Sequence, residues 1–222
     1  FRPDLGDQCI PGTPFSGEFC HVNCDCGRFM EIGNNVFMQY KKTEAGFQEL
    51  AQMNVDFGGG LERLLAATND VPDVFLLDLF DGARQELEKI SGVSYGTDEK
   101  TTYAMRVILD HLKAALFLIG DGVLPSNKDQ GYFVRRLIRR AVRYGTVLGI
   151  KESFTIAIAR TFIPVYANQY PNLLNDEAKI LTALEEEEKK FRATLEKGLK
   201  EVEKRLVGTF TGKDAFDLFA TY

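Results

Sequence analysis

Three stretches of this 222-residue chain carry residues whose types and spacing could do chemistry. The first is Asn54-Val55-Asp56-Phe57-Gly58-Gly59-Gly60-Leu61-Glu62-Arg63-Leu64-Leu65-Ala66. An apolar approach ends in a carboxylate, Gly58 to Gly60 strip every Cβ from one turn, and good helix formers follow. Backbone in such a turn can lie close against a ligand. Arg63, on the first turn of the expected helix, offers a planar fork of donors suited to phosphate. Asp56 is expected at a strand end, facing the same cavity as Arg63. The turn lacks the Gly-Lys-Ser/Thr ending of a P-loop and the G-x-G-x-x-G spacing of dinucleotide folds. Its plain alternative is a tight strand-to-helix turn with a surface Glu62–Arg63 pair.

The second stretch runs from Gly131 to Tyr144. Val134, Leu137, Ile138, Ala141 and Val142 stand at i, i+3, i+4, i+7 and i+8, which is the buried stripe of a helix. Arg135, Arg136, Arg139, Arg140 and Arg143 take positions between them. From Lys128 to Lys151 there are seven basic residues, against Asp129 and the neighbouring Glu152. Arginine rather than lysine at all five helical sites suits bidentate phosphate contact, and a solvated face with local ion pairs is the competing reading. The third stretch is Cys20-His21-x-x-Cys24-Asp25-Cys26, with Cys9 upstream. Structural zinc sites pair two C-x₂₋₄-C units, and only Cys20 and Cys24 have that spacing. Reduced thiols and no metal are therefore expected, with zinc the minority alternative.

Elements must hold these residues in place. Residues 1–28, rich in Gly, Pro and Cys, read as loops. Phe29, Met30 and Ile32 followed by Val36 to Tyr40 read as a strand. A charged linker from Lys41 to Glu49 then leads to a second strand ending at Asp56, so the pair suits an antiparallel sheet. From Val74 the spacing turns helical through Leu77, Phe80, Leu87 and Ile90, and Gly92 to Thr97 breaks it. Val107, Ile108, Leu112, Ala115, Leu116 and Ile119 form the next apolar face. His111 on that helix is expected at the core edge, hydrogen-bonded to a neighbour, and not as a catalytic base. Asp121-Gly122 and Pro125-Ser126-Asn127 make the turn before the arginine helix. Thr155 to Tyr166 is a further helix, broken at Pro171. Asp176 to Leu206 reads as one long helix with Leu181, Leu184, Phe191, Leu195, Leu199, Val202 and Leu206 along one side. Glu185–Lys189 and Glu186–Lys190 are favourable i,i+4 pairs, so the glutamate run Glu185–Glu188 reads as a solvated face. Gly208 to Gly212 is a hinge before a last helix, and the composition shift near residue 70 marks a domain boundary.

Composition narrows the class. Hydrophobic content of 45% and charged content of 27% are ordinary for a globular protein, and a net charge of −5 argues against a globally basic nucleic-acid binder. No run approaches the roughly 18 apolar residues that span a bilayer, and no signal peptide is evident. A cytoplasmic setting, with no membrane partner, is the expectation. The opening Phe1-Arg2-Pro3 and the helical ending suggest a piece of something longer.

Asp56 to Leu65 resembles motif 3 of class II aminoacyl-tRNA synthetases, in the alanyl form Val-Asp-x-Gly-x-Gly-Leu-Glu-Arg-Leu. Glu31 to Tyr40 is similar to the alanyl family's Glu-Ile-Trp-Asn-x-Val-Phe-Met-Gln strand, which lines the alanine pocket. Gly33 replaces the Trp, so that wall must be remodelled or filled from elsewhere, and Phe57 stands where Thr is common. Asp110-His111-Leu112-Lys113-Ala114-Ala115, Asp121 to Asn127 and Gly131 to Gly145 resemble the segment that follows motif 3 in the same family.

The resemblance implies an α+β fold. Residues 1–70 would be the C-terminal part of the class II catalytic domain with its antiparallel sheet, and 71–222 an all-helical tRNA-recognition domain. It also implies an alanine–tRNA ligase, which uses ATP and Mg²⁺ to make alanyl-adenylate and passes alanine to the 3′ end of tRNA(Ala). By similarity Asp56 holds the alanine ammonium group, Asn34 and Val36 floor the pocket, Gly58, Gly59 and Gly60 let the adenylate lie on backbone, and Arg63 meets the ATP phosphates. Asn127 and Arg139 are expected to read the acceptor stem's G·U pair from the minor groove, with Arg135, Arg136, Arg140 and Arg143 on phosphates. Class II motifs 1 and 2 and an editing His/Cys set are absent from the sequence, so the isolated chain is not expected to be competent. A non-catalytic RNA-binding paralogue that kept the helical domain is the alternative.

Overall fold

The computed structural model describes residues 29–205 and 210–221; Cys9, Cys20, His21, Cys24, Cys26, Leu206 and the first two residues of the expected Gly208–Gly212 hinge lie outside them. The chain divides into two units, Phe1–Leu77 and Asp78–Tyr222. In the first, β1 (Gly33–Thr43) and β2 (Gly46–Gly59) form a two-stranded antiparallel ribbon that leads into α1 (Leu61–Thr68). The second consists of seven helices among the described residues: α2 (Asp78–Ser91), α3 (Glu99–Gly120), α4 (Asp129–Val147), α5 (Thr155–Tyr166), α6 (Pro171–Asn175), α7 (Glu177–Arg205) and α8 (Gly212–Thr221). The α+β class expected from sequence is the class observed.

The ribbon is longer than its apolar residues suggest. Lys41 to Glu49 is not a linker: Tyr40 pairs with Glu49, Lys41 with Gln48, Lys42 with Phe47 and Thr43 with Gly46, which leaves only Glu44-Ala45 to turn the chain. Gly46 has φ +111°, a backbone that side chains resist, and the Thr43 hydroxyl donates to its carbonyl at 2.8 Å. Charged residues are tolerated in these strands because the ribbon is exposed along nearly all of its length. Likewise β2 does not end at Asp56 but continues through Gly59, since ladder hydrogen bonds need backbone groups and not side chains.

In the helical unit the α3 stripe expected from periodicity is buried, whereas along the expected α7 stripe Leu181 and Leu184 are buried, Phe191, Leu195 and Val202 are half-buried and Leu199 is exposed. Ile108, Leu112, Ala115, Leu116 and Ile119 of α3 are fully enclosed, and α3 packs against α2, α4, α5, α6 and α7. Asp98 caps α3, accepting from the Thr101 amide and hydroxyl at 2.8 and 2.7 Å, and these bonds hold its carboxyl below the usual carboxylate range. Gly92 and Gly96 take positive φ in the break before it. The spacing that begins at Val74 belongs to two elements, a short 3₁₀ turn at Val74–Leu76 and then α2, because Leu77 is extended. Pro171 does not merely stop a helix; it opens α6, where its missing N–H costs nothing.

The largest departure is in α7. Glu185 and Glu186 are solvated, and Lys190 pairs with Glu186 at 3.2 Å, but Glu187 and Glu188 are buried. A helix turns about 100° per residue, so four consecutive glutamates cannot share one face. Glu188, at 0% exposure, accepts from the Phe154 and Thr155 amides and the Thr155 hydroxyl, which caps the first turn of α5 from a different helix. Arg192, one turn along α7, pairs with the same carboxylate at 2.8 Å and donates to the Lys151 and Glu152 carbonyls. Glu188→Ala would leave buried donors and a cation without their partner. It should cost about 3–5 kcal/mol, read as a lowered urea midpoint of the helical unit, with Glu188→Gln retaining part of the loss.

Candidate functional site

In the first unit the residues expected at an amino-acid pocket are cross-strand neighbours. Asn34 pairs with Gly58 and Val36 with Asp56, so all four lie on one face of the ribbon at alternate positions. Asp56 is exposed in mid-strand. Glu31 ties this face to α1: its carboxylate accepts from the Asn34 amide at 3.0 Å, and its backbone carbonyl accepts from Arg63 Nη1 at 2.9 Å. The Gly60 amide donates to the Ile32 carbonyl at 3.1 Å, so the glycine turn is anchored to the start of β1. Arg63 sits on the first turn of α1, and a Cβ at Gly60 would press on its side-chain carbons at 3.2–3.3 Å. The guanidinium therefore leaves its helix over a strip of bare backbone, with one edge on Glu31 and the rest free to meet an anion.

The two departures from the alanyl pattern, Gly33 and Phe57, are spatially one feature. A Cβ at Gly33 would come within 2.9 Å of the Phe57 ring, and one at Gly59 within 3.0 Å of it. The ring from β2 thus occupies the space where a side chain on β1 would begin, and it remains 63% exposed.

In the second unit, Asn127, Arg135, Arg136, Arg139, Arg140 and Arg143 line one surface cleft of about 510 Å³, together with Tyr132, Tyr144 and Phe191. The six polar residues singled out in sequence are therefore brought together. The loop before α4 is tied down by Ser126: its amide donates to the Gly131 carbonyl at 3.0 Å, and its hydroxyl donates to the Lys128 carbonyl at 2.9 Å. Asp129 then takes φ +49°, a left-handed conformation that Asp tolerates better than most residues.

The arginines are not equivalent. Arg139 donates Nε to Glu187 of α7 at 2.6 Å, Arg135 forms an ion pair with the same oxygen at 3.2 Å, and Arg139 also lies over the Phe191 ring, 5.2 Å from its centroid. Arg140 donates to the Tyr103 hydroxyl at 3.3 Å. Arg136 and Arg143 are exposed and make no ion pair or side-chain hydrogen bond among the described residues. Sequence reasoning missed Glu187, Tyr132 and Tyr144. Glu187 is hidden in a run of four glutamates, and Phe191 reads only as part of an apolar stripe. His111 is bonded through Nδ1 to Asp110 at 2.8 Å and does not line the cleft. Among the described residues no three His, Cys, Asp or Glu side chains gather as a metal site, nor is any helix among them long and apolar enough to cross a membrane.

Comparison with known proteins places the chain. The profile of the tRNA synthetases class II (A) family matches residues 13–222. Alanine–tRNA ligase 1 of Lachnoclostridium phytofermentans is 39% identical over 227 residues, covering 99% of this chain and 25% of that protein. The alanine–tRNA ligases of Carboxydothermus hydrogenoformans and Desulfosudis oleivorans are 41% and 42% identical, each over 99% of this chain and 26% of theirs. The chain belongs to the class II (A) tRNA synthetases, and it spans about a quarter of the length of the curated relatives it matches.

Gly131 sets where Asn127 stands relative to the arginines. A Cβ there would meet Ser126 Oγ and lie 2.5 Å from the Leu124 carbonyl oxygen, closer than either contact tolerates. Gly131→Ala should push the 124–128 loop off α4, at a cost of about 1–3 kcal/mol, visible as a lower thermal midpoint with altered amide shifts at Ser126 and Asn127.

Proposed function

We propose that this chain is the motif 3 and tRNA-recognition portion of an alanine–tRNA ligase, a cytoplasmic enzyme that activates alanine with ATP and esterifies it to tRNA(Ala). In this reading residues 1–70 belong to the catalytic domain and 71–222 to the helical tRNA-recognition domain. The observation that carries it is the gathering of Asn127, Arg135, Arg136, Arg139, Arg140 and Arg143 around one cleft in a chain of net charge −5. A local concentration of guanidinium groups against an acidic background attracts a polyanion to that place. Asn127, able to donate and accept, would meet the minor-groove edge of the acceptor stem's G·U pair beside Arg139. Arg135, Arg136, Arg140 and Arg143 would lie along phosphates.

The ribbon would supply half of an adenylation site. Asp56 would face the alanine ammonium group, with Asn34 and Val36 beneath it and Gly58 admitting the substrate to the backbone. Gly59, Gly60 and Arg63 would receive the ATP phosphates, where fixed cationic donors stabilise charge developing in transfer. Motifs 1 and 2 are not in this sequence, and large apolar side chains such as Phe37, Met53 and Val55 stand exposed on the ribbon, as expected of strands that belong to a wider sheet.

Two measurements test the reading. The purified chain should show no alanine-dependent pyrophosphate exchange above background; robust exchange would mean that the catalytic part has been misassigned. In binding to acceptor-stem duplexes, Asn127→Ala should flatten the preference for G·U over G·C and leave the salt dependence alone. Arg136→Ala should weaken both RNAs alike and lower the salt slope by about 0.7–0.9, one phosphate contact's worth. A G·U preference that survives Asn127→Ala would make the cleft a generic RNA clamp.

A further inference from the structure

We propose that Glu187 is a positioning residue of the arginine cleft: one buried carboxylate holds two of the five guanidinium groups and limits how many remain free for phosphate. This rests on the reading of the cleft as an RNA site and adds a part to it that lies on another helix. Glu187 is 6% exposed and sits under a cleft lined by five arginines. Its Oε1 is 2.6 Å from Arg139 Nε and 3.2 Å from Arg135 Nε. Arg135 and Arg139 are one turn apart on α4, so a single carboxylate on α7 can reach both. Phe191, one turn beyond Glu187, lies against the Arg139 guanidinium. Arg139 is thus held at one edge by charge and on one face by a ring.

Two consequences follow for an anionic ligand. Arg139, which donates Nε to Glu187, keeps its two Nη groups for another partner with their direction set before the ligand arrives, and Arg135 is held beside it by charge. The carboxylate also neutralises one of the two cations it binds, so the cleft attracts phosphate less strongly than five free arginines would. A long flexible cation binds any phosphate within reach, whereas a fixed one rewards only a ligand whose groups fall where its donors point. Glu187 accordingly trades raw affinity for discrimination. Arg136 and Arg143, with no such restraint, supply the attraction that does not discriminate.

The test is Glu187→Gln, which keeps the shape and removes the charge. It is compared with wild type on G·U and G·C acceptor-stem duplexes across a potassium chloride series. The variant should bind the G·C duplex roughly fivefold tighter at low salt, steepen the salt slope by about 0.9, and lose most of the G·U preference. Phe191→Leu, which removes the ring but no charge, should lower the preference at an unchanged slope, and it carries the test if Glu187→Gln does not fold. A Glu187→Gln protein with a lower thermal midpoint but wild-type slope and preference would overturn the proposal, because a merely structural carboxylate predicts that pattern. If wild type itself showed no G·U preference, the assignment of the RNA would fail. The salt slope, read on either duplex, would still decide whether Glu187 restrains the arginines.

Discussion

A carboxylate at zero exposure has to be met by donors on every side, and in this protein Glu188 sets that requirement for the helical unit. Two amides and a hydroxyl at the start of α5 meet it, together with Arg192 from its own helix. The contact fixes both the position of α7 along its axis and its rotation, because a slip of one residue would bury an unpaired charge. With Glu188 turned toward α5, the preceding residue must point about 100° away, and that direction is toward α4. The arrangement of the arginine cleft therefore depends on a capping interaction that touches none of its residues. Arg192 extends the same anchor to the 151–152 loop through two carbonyls, so the path from α4 into α5 is held by the same group.

Within the cleft, opposing effects are balanced by geometry. Five arginines on one helix repel one another, and i,i+4 like charges destabilise the helix that carries them. Glu187 relieves the Arg135–Arg139 pair, and Tyr103 accepts from Arg140. The apolar stripe of α4 does the rest, since Val134, Ile138, Ala141 and Val142 are buried and hold the helix whatever the charges on its other face do. The result is a cationic surface inside an acidic chain, with part of it fixed in place and part exposed.

The ribbon unit follows a different logic. Its strands pair on either side of a break in register between Met38 and Tyr40 and expose apolar side chains widely, so hydrogen bonds and register define it more than a core does. Register is what sets Asn34 against Gly58 and Val36 against Asp56, and Glu31 links that face to Arg63 through two separate bonds. Gly33 and Phe57 belong to the same constraint: bare backbone on one strand makes room for the ring from the other.

Local pattern alone established much of this protein. Apolar spacing located α3, α4, α5 and α7, Gly92 to Thr97 was legible as a break, and the motifs around Asp56, Gly58 to Gly60 and Arg135 to Gly145 sufficed to identify the family. The sequence also brought forward the six polar residues of the cleft, because each lies on a single short stretch from Asn127 to Arg143. Only the tertiary structure decided which of those arginines are held and which are exposed. The partner that separates them, Glu187, is 48 residues from Arg139 and is chemically identical to the solvated glutamates beside it. The pairing of Lys41 to Thr43 with Gly46 to Gln48 was hidden for a related reason: charged residues signal a loop until a partner strand supplies their backbone bonds. Periodicity reports how a segment meets the core. It carries no information about which distant side chain will arrive at its polar face, because that depends on how whole helices pack.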